Sequence, residues 1–204
     1  MNSTAGGEQL RALAADTHPL PLKVAALMRG FARPWFVAGG WAIDLYLGRV
    51  TRPHADIEIA IFRQDQAVLR EHFSGWSWQK VFNGALSSWQ GERLDWPVHE
   101  LYCGNEAAEP PQLEVLLNEA QGDEWVFRRN DDVTRPIARC YLTSAAGINF
   151  LAPEIVLLYK SKGTRDKDEQ DFAAVIERLE TEQREWLRGA IATCNASHHW
   201  LNSL

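Results

Sequence analysis

Two carboxylates separated by a single residue, Asp56 and Glu58, are the side chains of this sequence best placed to do chemistry. Isoleucines alternate with them, which predicts a strand over 56–62 with the isoleucines facing a core and both acids on the opposite face. Two acids held side by side repel each other unless a cation lies between them. Mg²⁺ prefers oxygen ligands and is often bound by one or two carboxylates plus substrate phosphates. The pair therefore predicts a magnesium site.

A pair of glycines precedes these acids. Gly39 and Gly40 stand between an apolar run at 34–38, which predicts a buried strand, and a helix predicted over 41–47. Without Cβ atoms, their N–H groups can approach a phosphate closely, and a helix N-terminus adds positive potential there. Each motif alone is typical of a tight turn or of a solvated strand face. In this order and spacing, they indicate metal-assisted phosphoryl or nucleotidyl transfer.

The elements that must position these residues change character along the chain. Residues 1–7 are expected to fray, and a helix is predicted over 8–29 with an interruption at 18–21. Further strands are predicted over 74–82, 97–103, 112–117 and 124–128, with a turn at Asn83 and Gly84; further helices are predicted over 64–73, 154–162, 166–180 and, after an N-cap at Thr181, 182–194. We therefore expect a mixed domain over 1–150 and a helical C-terminal subdomain over 151–204.

Composition excludes several classes of protein. The chain has 204 residues, 46% hydrophobic and 24% charged, which is ordinary for a globular protein. It lacks a run of 18 apolar residues, which excludes a membrane transporter or channel. The net charge of −6 argues against a protein that coats nucleic acid. No signal-like N-terminal pattern is visible, so a cytoplasmic location is expected. The three dispersed cysteines indicate neither disulfides nor zinc, and the nine tryptophans are expected mainly in core packing.

The segment 36–63, with GGWAID followed by TRPHADIEIAIFR, resembles the nucleotidyltransferase superfamily that includes DNA polymerase beta. It is most similar to small bacterial aminoglycoside-nucleotidyltransferase-like proteins. A second block over 157–172 is similar to the lysine-bearing helix and the Asp-rich helix start of nucleotidyltransferase toxins. The resemblance implies an α+β nucleotidyltransferase fold, in which helices flank a mixed, twisted sheet and a helical C-terminal region follows.

The resemblance also implies roles for individual residues. Asp56, Glu58 and a third acid, for which Glu114 is the best candidate, would hold one or two Mg²⁺. Gly39 and Gly40 would hold the triphosphate of the NTP. Lys160, with Lys162 as a close alternative, would approach the phosphates, and Asp168 and Asp171 would shape the nucleotide or acceptor side. The family more often has aspartate at the positions of Glu58 and Glu114, and the extra methylene could displace a metal.

Two further residues belong to the loop before Asp56. Arg52 suits phosphate recognition, and its pairing with a nearby acid such as Asp44 is an equal alternative. His54 could bind a metal or a phosphate, but support of the loop through hydrogen bonds is the favoured interpretation.

The function expected from this resemblance is transfer of a nucleoside monophosphate from an NTP to a hydroxyl of a small acceptor, with an aminoglycoside as the first candidate. The acidic balance of the chain favours a cationic acceptor. A toxin-like enzyme acting on protein or tRNA is one alternative. A nucleotide-binding module that has lost catalysis is another, and the glutamates at positions 58 and 114 favour it. Neither a membrane nor a nucleic-acid partner is expected, and the oligomeric state is left open.

Overall fold

The computed structural model of the protein describes residues 18–204. The segment expected to fray and the first part of the predicted helix over 8–29 lie outside these residues. The described helices are α1 (Pro19–Leu27), α2 (Gly39–Leu47), α3 (Gln66–His72), α4 (Pro153–Lys160), α5 (Asp166–Val175) and α6 (Thr181–Cys194). The described strands are β1 (Trp35–Val37), β2 (Glu58–Phe62), β3 (Ser77–Phe82), β4 (Ala85–Ser88), β5 (Glu100–Gly104), β6 (Gln112–Gln121), β7 (Glu124–Val126), β8 (Thr134–Pro136), β9 (Tyr141–Thr143) and β10 (Asn149–Leu151).

The strands form one mixed sheet, which confirms the predicted α+β class. Its order is β4-β3-β5-β6-β2-β1-β10-β9, and β7 and β8 extend it from the end of β6. Strand β2 runs parallel to β6 and antiparallel to β1, and β1 runs parallel to β10. The register pairs Glu58 with Glu114 on neighbouring strands, so the two side chains share one face of the sheet.

Strand β2 is buried on both of its faces beyond its first residue. The three isoleucines at 57, 59 and 61 are core residues, as their alternation predicts. Ala60 and Phe62, on the same face as Glu58, are buried as well. The reason is the central position of β2, where Phe36 of β1 packs edge-on against Phe62 with ring centroids 6.1 Å apart.

The C-terminal helices pack directly on the sheet domain. Residues Pro153–Leu158 of α4 are all buried, and α4 contacts both α2 and α6. The N-cap of α6 is Glu180 and not the predicted Thr181, because Glu180 and Gln183 form a capping box. Strand β10 extends the sheet to Leu151, one residue past the proposed boundary at 150, and that boundary stays a prediction. In the described part of the chain, no helix has the length and apolar character needed to span a membrane.

Eight of the nine tryptophans pack into or against the core. This agrees with the role expected for most of them. Trp96 differs, because 56% of its surface is exposed. Its indole is therefore open to contact with a ligand.

Candidate active site

A cavity of about 490 Å³ opens where the N-terminus of α2 meets β2, β6 and the last turn of α4. Seven of the nine predicted site residues line it: Gly39, Gly40, Arg52, Asp56, Glu58, Glu114 and Lys160. The parallel β2–β6 pair supplies the acidic wall, and the loop before β2 and the segment around α4 and α5 supply basic side chains. The fold therefore gathers residues that are up to 121 positions apart in the sequence.

The glycine pair opens α2 and leaves room for three side chains. Gly39 has a φ of +59°, a conformation that favours glycine. A Cβ atom at Gly39 would overlap the carboxylate of Glu58, and one at Gly40 would overlap the side chains of Arg52 and His54. Glycine is thus needed at both positions because these side chains lie where a Cβ atom would be. Contact of the glycine N–H groups with a triphosphate stays a prediction.

Glu58 and Glu114 form an adjacent acid pair across the strands. Burial, followed by the negative charges of Glu58, Glu100 and Asp56, raises the pKa of Glu114 to about 8. Burial also raises the pKa of Glu58, although the positive charge of Lys160 opposes that shift. Both shifts come first from burial of the carboxylates, and in Glu114 the neighbouring acids add to the shift. A bound cation would relieve the repulsion between these acids.

Asp56 lies outside the strand on which it was predicted. Strand β2 begins at Glu58, because pairing with β6 starts at that residue, and Asp56 belongs to the exposed loop before it. The loop is held in place by Trp41, whose indole Nε1 donates to the backbone oxygen of Asp56 at 3.0 Å. The carboxylate of Asp56 still lines the same cavity as Glu58 and Glu114.

A fourth acid, Glu100, lines the cavity and was not predicted. Tyr102 donates its hydroxyl proton to Glu100 Oε1 at 2.9 Å, and the same hydroxyl oxygen lies 3.5 Å from Glu114 Oε2. Burial and the neighbouring acids raise the pKa of Tyr102, so the hydroxyl keeps its proton. The signal in the sequence was the alternation in 100–104, where Leu101 and Cys103 are buried and the residues between them face the other way.

The acid cluster fits a magnesium ion by its chemistry. Its donors are carboxylate oxygens, and three acids besides Glu114 line the same cavity, namely Asp56, Glu58 and Glu100. Among residues 18–204, no three acidic, histidine or cysteine side chains are already gathered closely enough to hold a metal ion. Because Mg²⁺ commonly completes its shell with substrate phosphates and water, this arrangement suits an ion that binds together with a nucleotide.

A network of ion pairs forms the basic side. Lys160 Nζ lies 3.0 Å from Asp168 Oδ1 and 2.8 Å from Asp171 Oδ2. Arg52 binds Asp171 with two hydrogen bonds of 2.9 Å, so its partner is Asp171 and not Asp44. These bonds tie the loop before β2 to α5. Arg165 and Lys167 also line the cavity, and both were outside the predicted set.

His54 supports the loop, in line with the favoured interpretation. Arg52 Nη1 donates to His54 Nδ1 at 3.1 Å, and because arginine can only donate, Nδ1 must accept. The proton then lies on Nε2, which donates to Asp44 Oδ2 at 2.6 Å. Burial alone would raise the pKa of Asp44, but hydrogen bonds from His54 and Thr51 outweigh it and lower the pKa.

Two predicted residues do not line this cavity. Asp168 is buried beneath the basic side, where it binds Lys160 and Arg165. Lys162 lies on the wall of a second, neighbouring cavity. Helix α4 ends at Lys160, and Lys162 lies in the turn that follows, so the two lysines line different cavities. The structure thus places Lys162 away from the cavity that Lys160 lines, and the role of Lys160 at the phosphates stays a prediction.

Comparison with known proteins adds to this geometry. A family model described as aminoglycoside-2''-adenylyltransferase matches residues 21–89. A 2''-aminoglycoside nucleotidyltransferase from Escherichia coli is 37% identical over 86 residues, which cover 39% of this chain and 47% of that protein. A protein of the same name from Klebsiella pneumoniae gives the same values. The chain thus spans about half the length of the curated relatives it matches.

The match in three dimensions is more extensive. The solution structure of the antibiotic-resistance factor ANT(2'')-Ia superimposes with a TM-score of 0.57 at 18% identity, covering 90% of this chain and 95% of that one. The lincosamide antibiotic adenylyltransferase LnuA gives a TM-score of 0.54 at 17% identity, covering 78% and 96%.

The chain has the nucleotidyltransferase fold. The resemblance to this superfamily is thereby confirmed. The family model covers the glycine pair and the acids at 56 and 58, and it ends before β6, which carries Glu114. The roles of the individual site residues rest on the geometry described above.

Proposed function

We propose that this protein is a Mg²⁺-dependent nucleotidyltransferase, which moves a nucleoside monophosphate from an NTP to a hydroxyl of a small-molecule acceptor. The observation that carries the proposal is one cavity in which Glu58 and Glu114 lie side by side, with Asp56 at its rim and Lys160 facing them. An acidic wall for a cation opposite a basic wall for phosphates is the arrangement that metal-assisted transfer needs.

In this proposal the acidic wall binds the metal and the basic wall binds the phosphates. Asp56, Glu58 and Glu114 hold the metal, which supplies charge neutralisation for the triphosphate when it is bound. Lys160, Arg165 and Lys167 face the same cavity and orient the phosphates. The buried acids Asp168 and Asp171 hold Lys160 in place before a substrate arrives.

The transfer itself requires one proton acceptor. The acceptor oxygen bonds to the α-phosphorus, the bond from the α-phosphorus to the bridging oxygen breaks, and pyrophosphate leaves with that oxygen. The proton of the acceptor hydroxyl passes to a carboxylate oxygen of Glu114, which a bound cation would keep ionised and which lines the same cavity as the other two acids. The hydroxyl of Tyr102 donates its proton to Glu100, so one oxygen of Glu100 is engaged in this hydrogen bond. We therefore assign the role of proton acceptor to Glu114 and not to Glu100.

The acceptor class follows from the relatives. The curated relatives are named 2''-aminoglycoside nucleotidyltransferases, and one structural neighbour is a lincosamide adenylyltransferase. These names support an antibiotic-like small molecule with a free hydroxyl, and an aminoglycoside is the first acceptor to assay. They favour a small molecule over protein or tRNA.

The first experiment is a nucleotide-dependent thermal shift with each NTP, with and without Mg²⁺. The Asp56→Asn variant should keep its fold, because the Asp56 side chain is exposed. A ligand at 100 times its dissociation constant stabilises a protein by about 2.7 kcal/mol, which such an assay detects easily. We expect a Mg²⁺-dependent shift in the wild type that Asp56→Asn loses.

The matched control is Asp123→Asn, since Asp123 is exposed in the turn between β6 and β7. This variant should keep the full shift. No shift of the wild type with any NTP would refute the proposed function and favour a fold that has lost catalysis. An unchanged shift in Asp56→Asn would remove Asp56 from the metal site.

A further inference from the structure

A second cavity of about 870 Å³ adjoins the first. The two cavities share Glu100, Arg128 and Arg129 as wall residues. The second one lies between the β3–β4 turn and the C-terminal ends of α4 and α6. Because the shared wall includes Glu100, whose partner Tyr102 also approaches Glu114, a molecule in the second cavity would border the acids of the first.

The charge on the walls of the second cavity is positive. Arg128, Arg129 and Lys162 line it, against a single carboxylate, Glu100, within the described part of the chain. No carboxylate of residues 18–204 lies within ion-pair distance of any of the three cations. Burial lowers the pKa of both arginines.

Exposed aromatic surface completes the cavity. Phe82 from the β3–β4 hairpin is 47% exposed and Trp96 is 56% exposed, and both line the cavity. Large aromatic side chains at a concave surface provide apolar contact area for a ligand. Trp96 further stacks on His99 with an angle of 24° between the rings, which holds the indole at the cavity wall.

We propose that the second cavity binds the acceptor, and that its walls select an acceptor with an apolar face and at most one positive charge over a polycation. This inference rests on the proposed function, in which the NTP occupies the first cavity. The first cavity has the size of a single ligand site, so the acceptor needs adjoining space. Three cations without an ion-pair partner among residues 18–204 repel a polycation, whereas Phe82 and Trp96 attract an apolar face. The net charge of the whole chain is negative and favoured a cationic acceptor, whereas the walls of the second cavity are positive.

Calorimetric titration at low salt, where charge effects are least screened, tests the proposal with two probes. Lincomycin carries one basic amine and an apolar substituent, and tobramycin is a polyamine. We expect the wild type to bind lincomycin at least about tenfold more tightly than tobramycin, as like-charge repulsion disfavours the wrong partner. Trp96→Ala should weaken lincomycin binding by about tenfold, and Lys162→Glu should strengthen tobramycin binding by several fold.

Two surface variants serve as controls. Leu86→Ala removes an apolar side chain that is as exposed as Trp96, and Arg188→Glu reverses an exposed charge on α6; neither residue lines the cavity. Both should leave the two affinities unchanged. Tighter binding of tobramycin than of lincomycin by the wild type, no lincomycin binding at millimolar concentration, or equal effects of the control variants would each overturn the proposal. The NTP-dependent thermal shift separates the two inferences, because its absence refutes the proposed function itself, whatever the acceptor titrations show.

Discussion

Two glycines at opposite ends of α2 allow a direct test of the site. Gly39 begins the helix with a φ of +59°, and Gly48 caps it with a φ of +67°. An alanine in this left-handed region costs about 1–2 kcal/mol at either position. A Cβ at Gly48 would meet no atom within 4 Å, whereas a Cβ at Gly39 would overlap the Glu58 carboxylate. The two substitutions therefore share the backbone cost and differ in their effect on Glu58.

The expected loss of activity follows from the displacement of Glu58. In Gly39→Ala, the carboxylate must move by about 2 Å to reach an ordinary contact distance of about 3.5 Å. A misplacement of about 1 Å in a positioned group can lower the rate by about 100-fold. We therefore expect kcat/KM of Gly39→Ala to fall by at least about 100-fold. Gly48→Ala should stay within a few fold of the wild type.

The assay combines urea denaturation with a measurement of pyrophosphate release. Denaturation should show a similar loss of about 1–2 kcal/mol in both variants, which separates the shared backbone effect from the loss of activity. The reasoning would be refuted if Gly39→Ala kept kcat/KM within a few fold of Gly48→Ala. It would then follow that Glu58 can leave its position beside Gly39 without affecting the reaction.

Two predictions concern the ion pairs beneath the basic wall. Asp171 is 1% exposed and binds both Arg52 and Lys160, so Asp171→Asn should lower the free energy of unfolding by about 3 kcal/mol. The control Asp166→Asn, at an exposed position of the same helix, should stay near the wild type. An unchanged urea midpoint in Asp171→Asn would show that these ion pairs do not stabilise the fold. Burial opposes ionisation of Asp168, but hydrogen bonds from Arg165 and Lys160 outweigh it and hold the Asp168 pKa below its ordinary 3.8. The stability this supplies is complete above pH 3.8 and lost as the pH falls through the lower folded pKa. The thermal midpoint should therefore drop below pH 4 with a steeper slope than in Asp168→Asn, and equal slopes would show that Asp168 contributes nothing.

The sequence predicted the acidic wall better than its surroundings. The isoleucine alternation located β2, and an acid inside an apolar run marked Glu114, which the register then placed beside Glu58. These signals are local, because the alternation of side chains within one strand shows which residues lie on the same face. The three-residue strand β10 escaped detection because so short a segment shows no period, although it pairs with β1.

The partners of the charged residues could not be predicted. Arg52 binds Asp171, which lies 119 positions later, and no pattern within either segment predicts that ion pair. Lys160 and Lys162 line different cavities because α4 ends at Lys160, and the sequence did not locate that helix end. Contacts of this kind are fixed by the packing of α5 against the loop before β2, which is a property of the whole fold.

The resemblance leads one to expect aspartate at position 58, and the glutamate found there fits the backbone at position 39. The carboxylate of Glu58 fills the space where a side chain at Gly39 would begin. The backbone N–H of Ala38 donates to the Glu58 carbonyl oxygen at 2.8 Å, so the two segments are fixed relative to each other. An aspartate, one methylene shorter, would stop short of this space. The longer acid and the glycine with positive φ thus form a compatible pair, and this supports the proposed metal site over a site that has lost its function.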